Sequence, residues 1–448
     1  MLRNRPSRQV KTQDAEPVVQ VCWRGLVDTA SFVRQQFVSM RNLRCFILLL
    51  LCVAGGYAQT NSYLFVWAGD DTKKSNDFLA VLDADASSPH YGQAVASVAV
   101  PGPGGTPHHT ELEMPEGGFL LANAFESGRT MLFDLREPLH PSLVTSFGEL
   151  DGYMHPHTYV RLSNGHVLAT FQYHGGHGLK SDGGGLVEFD ERGHLIRSSS
   201  ATDSAAKDEL IRPYSLVVVP ALDRIVSTNT AMHDKDGDSR TAQVWRLSDL
   251  KLLRTLVLPP GPRGSEQKFP GEPHLHADGK TVLVHTFSCG LYQVEGIDTD
   301  RPAVRHLKTF DGDECDVPSR IGHYWLQTLT SVHALATYDI SDLAHIREVS
   351  RVTFNDKQKP HWIAADPDGR RIVLNSGEYG DHRLFMVNFD PQTGALTLDG
   401  RFRDAGSSQP GVSMDGKSWP HGFHGDAYPH GTVFSRPAAM VKSASTGN

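Results

Sequence analysis

Cysteine is scarce in this chain of 448 residues, which contains five. Three of them, Cys22, Cys45 and Cys52, precede residue 59, so only Cys289 and Cys315 remain in the rest of the chain. Two cysteines cannot build a disulfide framework, so a folded domain must be stabilised by a packed core. The pair is compatible with one disulfide, or with one buried and one surface thiol, and neither is expected to bind copper.

The chain also lacks an apolar run long enough to span a membrane as a helix, because its most apolar run covers only residues 45–54. Basic residues precede this run and Gly56-Tyr57-Ala58 follows it, which is the order of a secretory signal peptide. We therefore expect translation to start at Met40, residues 1–39 to be an upstream extension, and the mature protein to be periplasmic or secreted without stable membrane insertion. An uncleaved membrane anchor is the alternative.

Positive charge is in deficit. Residues 1–58 contain eight of the 43 Lys and Arg and three of the 51 Asp and Glu, so 35 basic residues face 48 acidic ones in the remainder, a net charge of −13. Nucleic acid is therefore not an expected partner. The sequence also has no Gly-x-Ser-x-Gly elbow, no phosphate-binding loop and no CxxCH haem motif, so acyl transfer, nucleotide chemistry and haem redox chemistry have no motif support.

The chain does have a repeat of short segments of alternating apolar residues, separated by Gly, Asn and Asp turns. One unit covers residues 109–147 and the next 157–198. A proline marks the start of the first segment of each unit, at Pro107, Pro156, Pro213, Pro273, Pro318, Pro360 and Pro420. Seven units spaced by about 52 residues predict an all-β fold, a single seven-bladed β-propeller over residues 59–448. The N- and C-terminal strands are expected to share one blade, which removes the open sheet edge.

All 23 histidines follow residue 58, and many stand near the start of a first segment. In a propeller these starts face the central channel, so histidines that are far apart in sequence can converge there. This set comprises His108, His109, His155, His157, His274, His276, His361, His421, His424 and His430. Neutral imidazole suits copper, iron or zinc better than magnesium or calcium, so the set predicts a metal centre on the propeller axis. The alternative is that each Pro-His marks a strand entrance, with the imidazole bonded to a backbone carbonyl or water.

Several short motifs point to a known family. Residues 78–85 read Phe-Leu-Ala-Val-Leu-Asp-Ala-Asp, and residues 88–93 read Ser-Pro-His-Tyr-Gly-Gln. The His108-His109 pair follows, and the chain closes with a His-x-x-x-Tyr-Pro-x-Gly motif that begins at His424. Over nearly the whole chain after the signal segment, these motifs resemble the selenium-binding protein and methanethiol oxidase family.

Members of that family are seven-bladed propellers. The bacterial oxidases among them use copper to convert methanethiol, oxygen and water into formaldehyde, hydrogen sulfide and hydrogen peroxide. The resemblance implies a copper centre held by His109, His157 and His424. It also implies direct or supporting roles for His108 and His276.

Tyr379 stands where the family has a further histidine, so we expect His361 to replace that ligand. The cysteine that the family associates with selenium has no counterpart, so selenium binding is not expected. Glu111 and Glu272 are the acidic residues predicted to carry protons at the site.

The leading hypothesis is therefore a monomeric periplasmic oxidase of a small-molecule substrate such as a thiol, with copper as cofactor and zinc or iron as alternatives. Two other hypotheses remain open. One is a non-catalytic propeller that binds a partner protein or peptide through its loops. The other is a lyase or hydrolase with zinc or magnesium in the channel.

Overall fold

The repeats form four-stranded antiparallel sheets in the computed structural model, which describes residues 62–176, 182–232 and 237–437. The predicted signal segment lies outside these ranges. Blade 1 consists of β1 (Tyr63–Asp70), β2 (Asn76–Asp83), β3 (Ala94–Pro103) and the C-terminal strand β31 (Ala427–Phe434). Blade 2 consists of β4 (Pro107–Thr110), β5 (Phe119–Ala124), β6 (Arg129–Asp134) and β7 (Ser142–Phe147). Blade 3 consists of β8 (Tyr153–Arg161), β9 (Val167–His174), β10 (Asp182–Phe189) and β11 (Leu195–Ser200).

The next four blades repeat this order. Blade 4 consists of β12 (Pro213–Val219), β13 (Arg224–Asn229), β14 (Thr241–Arg246) and β15 (Leu252–Val257). Blade 5 consists of β16 (Pro270–Leu275), β17 (Val282–Thr286), β18 (Gly290–Glu295) and β19 (Ala303–Thr309). Blade 6 consists of β20 (Ser319–Ile321), β21 (Tyr324–Leu329), β22 (Ala334–Asp339) and β23 (Arg347–Thr353). Blade 7 consists of β24 (Trp362–Ala365), β25 (Arg371–Asn375), β26 (Arg383–Phe389) and β27 (Leu396–Leu398), and β28 (Val412–Ser413) also pairs with β26.

The two ends of the propeller meet in blade 1. Strand β31 pairs antiparallel with β1, so the C-terminal strand becomes the innermost strand of a sheet whose other strands come from the N-terminal side. The predicted seven-bladed, mutually closed architecture is confirmed. One detail was wrong: Pro420 precedes a small hairpin of β29 (Lys417–Ser418) and β30 (His424–Gly425), whereas the inner strand begins seven residues later.

The apolar core is divided into seven clusters, and each lies between two neighbouring blades. Strand β1 shows how the sequence achieves this. Leu64 and Val66 pack toward blade 7, while Phe65 and Trp67 pack toward blade 2. Because both faces of each sheet are buried, middle strands such as β1 and β2 have near-continuous apolar runs, and the strand period of two decides which neighbour each residue contacts. Within the described ranges, no helix has the length and apolar composition needed to cross a membrane.

A disulfide joins Cys289, after β17, to Cys315, before β20, and both residues are fully buried between blades 5 and 6. Of the two states compatible with the sequence, one disulfide or two free thiols, the structure therefore contains the disulfide. The bridge closes a loop of 26 residues.

We expect the double variant Cys289→Ser, Cys315→Ser to lose about 3 kcal/mol of unfolding free energy, because the loop is no longer constrained in the unfolded chain. Urea unfolding with and without dithiothreitol measures this. Reductant should lower the stability of the wild type and leave the variant unchanged; equal sensitivity of the two proteins would contradict the bridge.

Candidate metal centre

Five of the seven inner strands contain a β-bulge directly after a proline. The register of β4 against β5 shifts between Pro107 and Thr110, and the inner strands of blades 1, 3, 4 and 5 shift at the corresponding place. Proline has no N–H to donate to the strand ladder, so it is compatible with an edge strand and with a bulge. A bulge redirects the side chains within it. The residues that it redirects here include His108, His109, His157, Tyr214, Glu272 and His430.

Three of these imidazoles form a compact group at the start of blades 2 and 3. One ring nitrogen each from His108, His109 and His157 lies within 4.8 Å of the other two, and all three residues are buried. The ring of His430, from β31, lies 4.3 Å from the ring of His108. His361 follows, with its Nε2 atom 3.1 Å from Nε2 of His430. We call these five residues the imidazole cluster.

The imidazoles that could hold a metal are neutral at physiological pH. Burial, followed by repulsion between neighbouring rings, lowers the pKa of His108, His109 and His430 well below the usual range. Burial lowers the pKa of His157 to about 3. A histidine must be deprotonated at one ring nitrogen to bind a metal, so these groups are already in the ligating form.

Ring nitrogens of the cluster also lack partners. Among the residues that the structure describes, no hydrogen-bond partner lies in range of Nδ1 of His108, Nε2 of His157 or Nδ1 of His430. Burial of an unpaired polar nitrogen is costly, so a ligand for these atoms is expected. The neutral nitrogens of the compact group, one each from His108, His109 and His157, fit copper, zinc or iron, and they do not fit magnesium or calcium, which prefer oxygen.

His361 has a different environment because both of its ring nitrogens are engaged. Nδ1 lies 2.9 Å from Oδ2 of Asp316, and the same oxygen accepts a hydrogen bond from Thr330 Oγ1 at 2.8 Å. Burial acts to lower the pKa of His361, but the attraction of Asp316 outweighs it and the pKa is raised. His361 can therefore donate through Nε2 to His430 and fix the orientation of that ring.

Two histidines expected at the centre lie elsewhere. His424 is exposed on β30, where Nδ1 lies 2.8 Å from Ser418 Oγ. His276 lies beyond the end of β16, with Nδ1 3.5 Å from Oδ2 of Asp278. The structure brings neither histidine to the imidazole cluster, because each lies outside the bulged start of its inner strand.

Glu111 is buried, but its carboxylate is fully engaged. Oε1 accepts a hydrogen bond from Nε of Arg161 at 2.7 Å, and Oε2 accepts one from the N–H of Leu121 at 2.8 Å. These contacts join β4 to its neighbours. Glu111 therefore stabilises the packing of these strands, and its engaged carboxylate does not fit the predicted role of a proton carrier.

Glu272 occupies the bulge of blade 5 and has one free oxygen. Oε2 lies 2.8 Å from Nε2 of His285, whereas Oε1 is buried without a partner in the described part of the chain. Next to it, Tyr214 places its ring 3.9 Å from the ring of His157 and its hydroxyl 3.5 Å from Nε2 of His109. Burial, together with the charges of Glu272 and Asp316, raises the pKa of Tyr214 well above its usual range, so this phenol stays protonated.

Comparison with known proteins agrees with the motifs. No protein-family model matches the chain. A methanethiol oxidase of Hyphomicrobium sp. is 24% identical over 349 residues, and the match covers 70% of this chain and 75% of that protein. A hypothetical selenium-binding protein of Sulfolobus tokodaii has a TM-score of 0.65 at 16% identity, covering 85% of this chain and 94% of its own.

The chain is therefore similar in sequence to a methanethiol oxidase, and it shares its propeller fold with a selenium-binding protein. The propeller fold itself is shared more widely. A periplasmic gluconolactonase of Pseudomonas aeruginosa has a TM-score of 0.57 at 14% identity, covering 84% of this chain and 99% of its own. At such identities the structural neighbours support the fold alone.

Asn123 on β5 connects two of the cluster histidines. Its Oδ1 accepts a hydrogen bond from the N–H of His109 at 2.6 Å, and its Nδ2 donates to the carbonyl of Pro156 at 2.8 Å. Asn123 is fully buried. It therefore fixes the backbone on which His109 and His157 stand.

We expect Asn123→Ala to lower the free energy of unfolding by about 3 kcal/mol, because it leaves a buried N–H and a buried carbonyl unpaired. Displacement of the two histidines should also weaken metal binding by about tenfold to a hundredfold. Urea unfolding and competition with a chelator measure the two effects. Asn388→Ala, an exposed site on β26, is the matched control; equal behaviour of the two variants would contradict the role of Asn123.

Proposed function

We propose that this protein is a copper-dependent oxidase of small thiols, with methanethiol as the candidate substrate. The observation that carries the proposal is the buried group of His108, His109 and His157, whose neutral nitrogens converge in a chain related to a methanethiol oxidase. Copper bound there would supply one-electron redox chemistry and would polarise a sulfur ligand. Zinc and iron fit the same donors.

The chain's own residues have distinct parts in this proposal. His108, His109 and His157 would hold the metal. His430 lies against His108 and is oriented by His361, which Asp316 in turn holds through Nδ1. A carboxylate that orients an imidazole in this way is a common support of metal centres.

Aromatic side chains beside the cluster suit a small apolar substrate. The ring of Trp362 lies 4.8 Å from that of His109, and the ring of Phe287 lies 5.5 Å from that of Tyr214. These rings provide an apolar surface beside the cluster. A methyl group would pack against them.

Oxidation of a thiol requires a proton acceptor. In the proposed reaction, methanethiol, oxygen and water give formaldehyde, hydrogen sulfide and hydrogen peroxide; the carbon loses two electrons and oxygen gains them. The free oxygen Oε1 of Glu272 can accept the thiol proton, and the protonated hydroxyl of Tyr214 can hold the substrate by a hydrogen bond.

We also propose that the protein works in the periplasm or outside the cell. The signal-peptide pattern of residues 40–58 supports this location. The buried disulfide between Cys289 and Cys315 supports it independently, because such bonds persist in oxidising compartments.

Oxygen consumption with methanethiol tests the proposal. Protein loaded with copper should consume oxygen and release hydrogen sulfide in equal amounts, while metal-free and zinc-loaded protein should do neither. Catalysis by the zinc form without oxygen would instead support a hydrolase or lyase. A protein that takes up no metal at all would leave the non-catalytic propeller as the better reading and would overturn this one.

A further inference from the structure

A buried histidine contacts Glu272, the carboxylate that the proposed reaction uses as its proton acceptor. Nε2 of His285, on β17, lies 2.8 Å from Oε2 of Glu272, on β16. His285 is fully buried, and Glu272 is 1% exposed. Neither residue belongs to the imidazole cluster or to the group that would hold a metal. We call the two residues the Glu–His pair.

The strand register places His285 opposite the bulge of blade 5. Thr286 and Val284 pair with the residues on either side of the bulge. Gly271 and Glu272 therefore oppose His285 alone, and a bulge of two residues against one redirects the side chains within it. A Cβ atom at position 271 would overlap the imidazole, so glycine leaves the room that the ring occupies.

The bulges of the neighbouring blades have a different residue at this position. In blades 2, 3 and 4, the opposing side chain accepts a hydrogen bond from the backbone N–H of the second bulge residue; the acceptors are Asn123, Thr170 and Thr228. In blade 5, the opposing side chain bonds the side chain of the second bulge residue, Glu272. His285 thus supports the carboxylate itself.

The surroundings of the His285 ring assign its hydrogen. A carboxylate oxygen accepts hydrogen bonds, so Nε2 must carry a hydrogen. Nδ1 is enclosed and has no partner among the residues described, and a hydrogen there would be a buried donor without an acceptor. His285 therefore donates through Nε2 as a neutral imidazole.

The partners of Glu272 differ from those of Glu111. Both oxygens of Glu111 are engaged, one of them by the guanidinium of Arg161, which is always charged. Glu272 has one oxygen bonded by an uncharged donor, and Oε1 is buried without a partner in the described part of the chain. Hydrogen bonds from uncharged donors are weaker than those from cations, so His285 orients the carboxylate without fixing it in the ionised form.

Aromatic rings connect the Glu–His pair to the imidazole cluster. The ring of His285 lies 5.4 Å from that of Phe287, and Phe287 lies 5.5 Å from Tyr214. The Tyr214 ring in turn lies 3.9 Å from that of His157. The pair is therefore separated from the cluster by the same rings that would pack against a small thiol.

We propose that His285 is a positioning residue for the oxidase reaction, which holds Oε2 of Glu272 so that Oε1 accepts the thiol proton. In this step the S–H bond breaks, its electron pair stays on sulfur, and an O–H bond forms at Oε1. Oε2 is an acceptor before and after the transfer, so the hydrogen bond from Nε2 is kept throughout. The inference rests on the proposed function, because it concerns the base of that reaction.

Nuclear magnetic resonance of metal-free protein, with isotope-labelled histidine nitrogens, tests the pair without any activity. The imidazole signal that disappears in His285→Gln should show a hydrogen on Nε2 and none on Nδ1. A hydrogen on Nδ1 would overturn the proposal. The signal is measured on the wild-type protein, and the variant serves only to assign it.

Kinetics of the copper-loaded protein test the role of the pair. His285→Leu and Glu272→Gln should each lower kcat for oxygen consumption with methanethiol by at least about tenfold. The double variant should fall no further than Glu272→Gln alone, because His285 acts through Glu272. His285→Gln can still donate an N–H to Oε2 and should recover part of the loss. Copper content should equal that of the wild type, and His323→Leu, at an exposed site between β20 and β21, should leave kcat unchanged.

The outcomes separate this inference from the proposed function. Losses that multiply in the double variant, or full activity of His285→Leu, would overturn the role of His285 and leave the oxidase proposal in place. A wild-type protein that binds copper and consumes no oxygen with methanethiol would overturn both.

Discussion

Protein carrying both His109→Ala and His157→Ala should bind copper at least about a hundredfold more weakly than the wild type, because loss of two direct ligands exceeds the effect of losing a supporting residue. The two side chains come from different blades and meet with ring centroids 4.3 Å apart. After their removal, His108 is the one member left of the three-residue group. Thiol-dependent oxygen consumption should fall with the metal content.

Elemental analysis after dialysis against copper, followed by competition with a chelator, measures this change. His424→Ala is the matched control, since it removes an exposed imidazole of the same chain whose Nδ1 bonds Ser418. That variant should retain one copper and full activity. Full copper occupancy in the double variant, or loss of copper in His424→Ala, would contradict the centre assigned to blades 2 and 3.

A third comparison separates direct ligands from the residues that orient them. Asp316 contacts His361 and no member of the three-residue group, so Asp316→Asn should weaken copper binding less than the double variant does. An effect as large as that of the double variant would place His361 and His430 among the direct ligands.

The fold was predictable because its signals are local. Alternation of apolar residues, turns rich in glycine and asparagine, and a proline at each inner strand are properties of short segments, and each blade repeats them. The N-terminal unit lacks a first strand, and the C-terminal segment supplies one strand without a complete blade. The closed propeller therefore followed from the simple assumption that the two ends share a blade. The position of the last inner strand was less accurate, because Pro420 and Pro429 are each followed by a histidine and only pairing with β1 distinguishes them.

Placement of the site residues depends on register, which one sequence does not determine. His424 and His430 are six residues apart, and both could precede an inner strand. The structure brings His430 to the cluster because the bulge follows Pro429. The signal was present, since Pro429-His430 repeats the pattern of Pro107-His108 and Pro156-His157.

Tyr214 and Glu111 show the limits of interpreting residue types alone. A tyrosine in an apolar strand is usually a core residue, and nothing in the sequence places the Tyr214 ring 3.9 Å from that of His157. Glu111 follows the His108-His109 pair, yet the strand leaves the bulge before it, and its carboxylate meets Arg161. Long-range contacts of this kind arise from the packing of one blade on the next.

Mild acid should destabilise the metal-free protein through its buried histidines. The pKa of His157 is about 3 in the folded protein because of burial, against an ordinary value of about 6.5 in an unfolded chain. Below pH 6.5 the unfolded chain takes up a proton that folded His157 does not. The contribution of neutral His157 to the free energy of unfolding is therefore fully present above pH 6.5. It is lost progressively as the pH falls toward 3, and the loss is about 2 kcal/mol at pH 5.

Other buried groups also change the free energy of unfolding as the pH falls, some by lowering it and some by raising it. His274, with a pKa of about 3, contributes a similar loss, and the lowered pKa of His108, His109 and His430 adds losses of the same sign. The raised pKa values of His361 and of Asp77, the latter about 7, oppose them, because those groups bind protons more tightly when folded. Comparison of a variant with the wild type isolates the contribution of one histidine from the total pH dependence of the unfolding free energy.

The difference in unfolding free energy between His157→Gln and the wild type should move in favour of the variant by about 2 kcal/mol between pH 7 and pH 5, because glutamine does not titrate. Urea unfolding of both metal-free proteins at the two pH values measures it. His345→Gln, at an exposed site, is the control and should show a much smaller change. An unchanged difference for His157→Gln would mean that this imidazole titrates with its ordinary pKa and would contradict the lowered pKa that burial gives it.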